Sequence, residues 1–317
     1  MGAPGKGAPG ALSPREARLR RALDDVRARC AVEERRAADP VEFVHRAAEP
    51  ADREITALIA SSMAFGNVKA LRAKIADALE RLGPQLALAA DDPAGVRARL
   101  RGWKHRVYKA GDLACLVIGA RRVQREAGSL GAALADELGR TGDLRQALAA
   151  WVRRIRREGG LDRRATRGAA HILADPDKGS ASKRLLLLLR WMARPADGVD
   201  LGAWPIPASA LIVPVDTHIQ KLGYNIGLTD RRTTTWRTAE EITASLRRFD
   251  PADPVKYDFA LCHLGMLQRC PSRRDPVRCE GCGVMPVCRH WDRDEAPAEP
   301  PPVRRGRAAS GGAGRTR

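Results

Sequence analysis

An all-α fold is what this sequence predicts, and three observations carry the expectation. Apolar residues recur at helical spacing in several separate stretches, alternating strand patterns are scarce, and the breaks fall at caps and turns. The first stretch is Ile55, Leu58, Ile59 and Met63, with Asp52 placed ahead of it as an N-cap. The second, Leu71, Ile75, Leu79 and Leu82, stops at Gly83-Pro84, a pair that breaks a helix. Leu113, Leu116, Val117 and Ala120 mark a third, and Leu144, Leu148, Trp151 and Ile155 a fourth. No internal repeat is visible. Residues 1–13 are rich in Gly, Ala and Pro, and residues from 294 onward in Pro, Gly and Arg, so both ends read as disordered. That leaves a helical body over 14–265 and a cysteine-bearing loop over 266–293.

A chain of 317 residues can bury a large core. It has no run of about 18 uninterrupted apolar residues and no apolar signal core at its start, so a soluble cytoplasmic protein, with no membrane association, is expected. The net charge of +18 points to a polyanionic partner. Five arginines in the last fifteen residues supply +5 of it, which leaves +13 for the rest. Three Tyr and four Phe are too few for a surface that stacks many single-stranded bases. A plain basic surface without a specific ligand is the alternative.

Four of the seven cysteines, Cys270, Cys279, Cys282 and Cys288, fall in one C-x8-C-x2-C-x5-C loop. Four soft thiolates so placed can wrap a zinc ion or an iron–sulfur cluster, or remain free thiols. Cys30, Cys115 and Cys262 are scattered, which fits reduced, buried thiols and not a secreted disulfide framework. Cys262 is either a spare ligand or, within its apolar run, a core residue.

Ahead of that loop, a helix ending over 169–173 leads into a polar, glycine-bearing turn. It holds Lys178, Gly179, Ser180, Ala181 and Ser182, then Lys183 and Arg184, and a continuous apolar run to Leu189 follows. Helix, short turn, basic residues, buried helix is the layout of a helix-hairpin-helix, whose second helix offers backbone N–H groups to a DNA phosphate. An ordinary helix connection reads the same way. Downstream, Pro214 disfavours helix before it, and Asp216 in Val215-Asp216-Thr217-His218 is placed to cap the next helix, beside the hairpin.

Hairpin lysine, VDTH and four-cysteine loop, in that order, resemble the endonuclease III-like branch of the helix-hairpin-helix DNA glycosylase superfamily. The resemblance spans about residues 40–291, with its specific motifs in three short windows. Closer still is a bacterial branch of that superfamily with no settled reaction. It is recognised by GSA-x-KR (Gly179–Arg184), D-L-G-x-W (Asp200–Trp204), DTH (Asp216–His218) and DPVKYDFAL (Asp253–Leu261). The resemblance implies a two-lobed helical fold, duplex DNA as partner in a nucleoid-associated monomer, and a [4Fe–4S] cluster on the four cysteines, with zinc as the alternative.

It also implies that Lys183 is the nucleophile and Asp216 the acid/base group or charge stabiliser of a base-excision glycosylase with AP lyase activity. Gly179, Ser180, Ala181, Ser182, Arg184 and Lys178 would then contact DNA. Burial and the neighbouring Lys178 and Arg184 are expected to depress the Lys183 pKa. That 47 Arg accompany only nine Lys favours an amine being wanted at this position. A phosphate-binding lysine in a non-catalytic DNA-binding module competes with this reading, and a zinc-stabilised interaction protein is a third.

The departures are specific. Ala181 replaces a second hairpin glycine and should restrict the turn. An inserted stretch over 196–209 places Lys183 and Asp216 33 residues apart, and the first cysteine spacer is two residues longer than usual. By the same resemblance, Ser61, Ser62, Phe65, Gly66 and Asn67 line a lesion pocket, although a plain helix end would look alike. His218 reads as a helix-terminal or core residue, Trp204 as packing under the insertion, and Tyr257 as an anchor for the last helix with its hydroxyl satisfied. Arg269, Arg273, Arg274, Arg278 and Arg289 would project charge from the cysteine loop toward phosphates.

Overall fold

A computed structural model describes residues 11–291. Most of the expected N-terminal disordered segment, all of the tail from 294, and residues 292 and 293 of the cysteine loop lie outside the described residues.

The chain opens with α1 (Pro14–Ala28), started by a capping box in which Ser13 and Glu16 each accept the other's backbone N–H. Short helices α2 (Val32–Ala38) and α3 (Val41–Arg46) follow, then α4 (Pro50–Ser62), α5 (Val68–Leu82), α6 (Leu86–Ala90) and α7 (Pro93–Arg99). Two-residue strands β1 (Lys104–His105) and β2 (Tyr108–Lys109) form a small antiparallel hairpin. Next come α8 (Ala110–Ala127), α9 (Leu130–Thr141), α10 (Leu144–Gly159), α11 (Arg167–Ile172) and α12 (Lys183–Ala193). The described chain closes with α13 (Thr217–Asn225), α14 (Trp236–Arg247), α15 (Asp258–Leu267) and the single turn α16 (Pro276–Cys279). All four apolar stretches are helices, and apart from that hairpin the described regular structure is helical, as the periodicity predicts.

Asp52 is a correction. It lies inside α4, whose N-terminus is set by Glu49 and Pro50, and its buried carboxylate accepts from the Ala87 N–H at 2.6 Å. It therefore pins the start of α6 to α4. Elsewhere polar caps fall where the residue types demand them, at Asn67, Ser129, Asp143, Thr166 and Thr235.

Buried side chains from Leu19 to Val287 form one contiguous apolar cluster. At its centre α8 and α10 cross at backbone distance: a Cβ on Gly159 would stand 1.9 Å from the Cys115 carbonyl oxygen, and one on Gly119 2.2 Å from that of Ile155. Buried Glu54 on α4 accepts from the Gln124 side chain, the Leu130 and Gly131 N–H groups and the Trp204 indole, at 2.7–3.0 Å. The inserted stretch is thereby part of the core, with Trp204 packed on Gly131 and Trp151.

A buried ion network fastens the insertion to two helices. Arg190 on α12 reaches Asp200 and, very closely, Asp258 on α15, while Arg194 reaches Asp197, Asp200 and Asp253 at 2.5–2.9 Å. Tyr257 anchors α15 as expected, donating from its hydroxyl to Asp24 on α1 at 2.6 Å. Among the described residues, no helix is long and apolar enough to cross a membrane.

Candidate functional site

The turn between α11 and α12 is built by its residue types. Gly179 takes a left-handed φ of 84°, and Ser182 takes one of 48°. Ala181 is buried and is not among the left-handed residues; the second left-handed residue of the turn is Ser182, at a cost of about 1 kcal/mol. Ser182 starts α12 without a side-chain cap, and its N–H is held by Ser180 Oγ at 3.2 Å. Lys178, Gly179 and Ser180 are exposed beside it.

Arg184 points the other way. Its guanidinium donates to the Ser62 carbonyl at 2.7 Å, the Tyr108 hydroxyl at 2.5 Å, and the His171 and Ile172 carbonyls. That half-buried charge ties α12 to α4, β2 and α11.

Across the 33-residue gap the chain brings the two predicted catalytic residues together: Lys183 Nζ lies 3.2 Å from Asp216 Oδ2. Asp216 caps α13 as its position predicts, with Oδ1 accepting from the His218 and Ile219 N–H groups at 2.9 Å each. Burial works against the Asp216 charge, but Lys183 and the Ile219 N–H more than offset it and hold the carboxyl below its usual value. Lys183 corrects the expectation. Burial pushes its ammonium down, yet Asp216, with Asp258 behind it, outweighs burial, so its pKa is raised and not depressed.

This pair sits on the wall of a cavity of about 740 Å³. Ser61, Ser62, Phe65 and Gly66 line it, as expected for that loop, while Asn67 stands aside to cap α5 through the Ala70 N–H. His218 is the exposed second residue of α13 at the cavity edge. Several lining groups drew no role from the sequence, among them Asp39, Asp258 and His171. Asp39 precedes α3; Asp258 and Cys262 lie one turn apart on α15; His171 is the penultimate residue of α11. Burial pushes Asp258 up to about 6 despite Arg190 and raises the Cys262 thiol, which packs against the apolar core, as one of its two sequence readings expects, and also lines the cavity. His171 packs edge-on to Phe65 at 5.0 Å, and its Nδ1 meets the Tyr108 hydroxyl at 2.8 Å. Burial and the Arg184 charge push it down to about 4, so the imidazole is neutral at physiological pH. A lone histidine in HILADP gives no sequence signal for this; only Asp258 fell inside a quoted motif.

The four clustered cysteines converge. Cys270, Cys279, Cys282 and Cys288 line one small cavity of about 20 Å³ with His290 and Trp291. Among the described residues, no three Cys, His, Asp or Glu side chains are close enough to share a single metal ion. The surroundings nevertheless suit anionic sulfur. Asn225 Nδ2 donates to Cys270 Sγ at 3.3 Å, and backbone N–H groups favour the thiolates of Cys282 and Cys288. His290 Nε2 and Trp291 Nε1 are buried without a partner at that cavity, and sulfur acceptors would satisfy them. Burial, with the neighbouring cysteines adding to it, raises Cys270 and Cys282 and takes Cys288 to about 11, so these thiols need a cationic partner to ionise. Arg269, Arg273, Arg274 and Arg278 are exposed around the loop, whereas Arg289 is half-buried against Asp230 at 2.6 Å. Cys115 is buried as expected; Cys30 is only partly so.

Comparison with curated proteins and with solved structures returned no match. One family, described as "Protein of unknown function (DUF2400)", matches residues 39–267. That span begins at Asp39 on the cavity wall and ends with α15, so it takes in Lys183, Asp216 and the cavity and stops just before Cys270. Well over half of the sequence is matched, and the chain belongs to the DUF2400 family.

Proposed function

We propose that this protein binds duplex DNA and acts on it as a base-excision glycosylase with AP lyase activity, through Lys183 and Asp216. The observation that carries the reading is the 3.2 Å approach of these two side chains on the wall of a cavity of about 740 Å³, from positions 33 residues apart. That volume lies within the ordinary range for small-molecule sites and can take a nucleotide turned out of the duplex. The +18 charge and the uncapped start of α12 beside exposed Lys178, Gly179 and Ser180 support a phosphate contact in helix-hairpin-helix fashion.

In the reaction Lys183 acts through its minor neutral form, its proton passing to solvent. The amine attacks C1′ of the extruded nucleotide while the Asp216 carboxylate stabilises the positive charge that develops on the sugar. The C1′–N bond breaks and the base leaves with the electron pair. A second amine proton then passes to O4′ as the C1′–O4′ bond breaks and the sugar ring opens, which leaves a protonated Schiff base between Nζ and C1′. Cys270, Cys279, Cys282 and Cys288 would hold a [4Fe–4S] cluster, which when bound fixes the loop and its arginines. Four thiols at one cavity, with an Asn225 donor and buried ring N–H groups beside them, support a sulfur-ligated group there, and the choice of iron–sulfur over zinc follows the resemblance to the endonuclease III-like branch.

A second reading, a non-catalytic DNA-binding module, draws on the raised pKa of Lys183, because an ammonium binds phosphate and does not attack carbon. Borohydride trapping on duplexes bearing an abasic site or damaged bases separates the two. A covalent adduct that disappears in Lys183→Ala supports the enzyme. Tight, salt-sensitive binding with neither adduct nor base release transfers the site to the binding module. Base release without an adduct points to water directed by Asp216. Iron and acid-labile sulfide content of the purified protein tests the cluster against zinc.

A further inference from the structure

Helix α13 carries a polar contact at each end, and the two ends belong to different sites. At its start Asp216 accepts from the His218 and Ile219 N–H groups through Oδ1 and meets Lys183 through Oδ2. At its end Asn225, 2% exposed, donates from Nδ2 to Cys270 Sγ and to the Pro271 carbonyl, both at 3.3 Å. The Asn225 carbonyl accepts from the Arg289 N–H at 2.7 Å. One residue therefore grips the cysteine loop at its first thiol and just beyond its last.

Little slack lies between the two ends. Asp216 and Asn225 are nine residues apart, about 13 Å of helical rise. The flank of α13 is closed by α15, where a Cβ on Gly265 would stand 3.3 Å from His218 Cβ. Cys270 returns its own N–H to the Gly265 carbonyl at 3.3 Å, so α15 leads directly into the cysteine loop and α13 meets it through Asn225. Hydrogen-bonded helices packed this closely move as rigid pieces and not by local bending.

We propose that Asn225 is a positioning residue that makes α13 a strut, so that the arrangement of the four thiols sets how Asp216 meets Lys183. The coupling is a property of this chain's own contacts and holds whether or not the substrate is DNA. Removing the Asn225 donor, or altering the sulfur it meets, frees the end of α13 and lets the Asp216 carboxylate drift from the ammonium. The groups that face Lys183 are Asp216 from α13, Asp258 and Cys262 from α15, and Asp39 ahead of α3. Of these only Asp216 sits on the strut.

The test uses the full chain without DNA. The pH dependence of Lys183 acylation by a water-soluble reagent is read by peptide mass spectrometry for the parent, Asn225→Asp, Asp216→Asn and the double variant. Substitutions this far apart should act independently unless the helix couples them. The expected result is a midpoint that falls in Asp216→Asn, falls part of the way in Asn225→Asp, and in the double variant stays where Asp216→Asn put it. A parental midpoint in Asn225→Asp overturns the proposal, as does an equal shift with and without Asp216. If Asn225→Asp does not fold, Cys270→Ser alters the other partner of the same contact and is judged by the same outcomes.

Discussion

At Lys183 opposite effects act on one ammonium, and the fold decides which wins. The sequence shows Lys178 and Arg184 nearby and predicts a depressed pKa. In the structure Arg184 turns inward to the Ser62, His171 and Ile172 carbonyls, and the Asp216 carboxylate takes the place beside Nζ at 3.2 Å. Asp216→Asn should therefore lower the Lys183 pKa, because burial is then opposed only by Cys262 and Asp258, and the pH profile of amine labelling checks it. The pair also ties stability to pH at both extremes. Asp216, held below its usual value, contributes above the carboxylate range and loses that contribution as pH falls through its folded pKa. Lys183, held above its usual value, contributes fully below the ordinary lysine range and loses this as pH rises through its folded pKa. With both side chains partly exposed the pair is worth about 1 kcal/mol, and Lys183→Met should flatten the alkaline limb in urea titrations.

Among the elements, α12 brings the site to the rest of the fold, and Arg190 is its fixed point. Its side chain is 3% exposed and paired to Asp200 in the insertion and Asp258 on α15. Arg190→Ala leaves buried Asp258 without its ion partner and Asp200 with Arg194 alone, and should destabilise by about 3–5 kcal/mol, with Asp258 protonating more readily. Arg190→Ala combined with Asp258→Asn should recover part of that loss in thermal unfolding. The α8–α10 crossing is equally specific. Gly159→Ala forces a Cβ into the Cys115 carbonyl, so the helices must separate; a loss of about 2–3 kcal/mol is expected, and no flexible side chain is in the way to yield instead. Helical spacing marked both helices from the sequence. The glycine contact between them was not visible there, because the two residues are 40 positions apart and glycine carries no periodicity.

For the molecule as a whole, acid should be the vulnerable side. His105, His171, His263 and His290 are all pushed down, with burial as the first cause, and His171 and His263 reach about 4. A histidine held neutral when folded takes up its proton on unfolding, so stability falls as pH drops from about 6.5 toward 4, by about 2 kcal/mol for each of the two strongest cases. Urea unfolding at pH 7 and pH 5 measures the slope, and His171→Gln should reduce it. Duplex binding, in turn, should weaken linearly in a plot of log affinity against log salt, by about 0.9 for each phosphate neutralised.

The sequence by itself determined the helical class, the four long apolar stretches, the cap at Asp216 and the candidate residues Lys183, Asp216 and the cysteine quartet. Each of these rests on spacing along the chain or on a side chain with few chemical alternatives. Only the tertiary structure decided that Lys183 and Asp216 meet, that Arg184 faces inward, that Cys262, His171 and Asp258 line the same cavity, and that Asn225 joins the cysteine loop to α13. Those facts depend on which distant segments pack together, and the sign of a charge interaction follows that packing and not the order of residues.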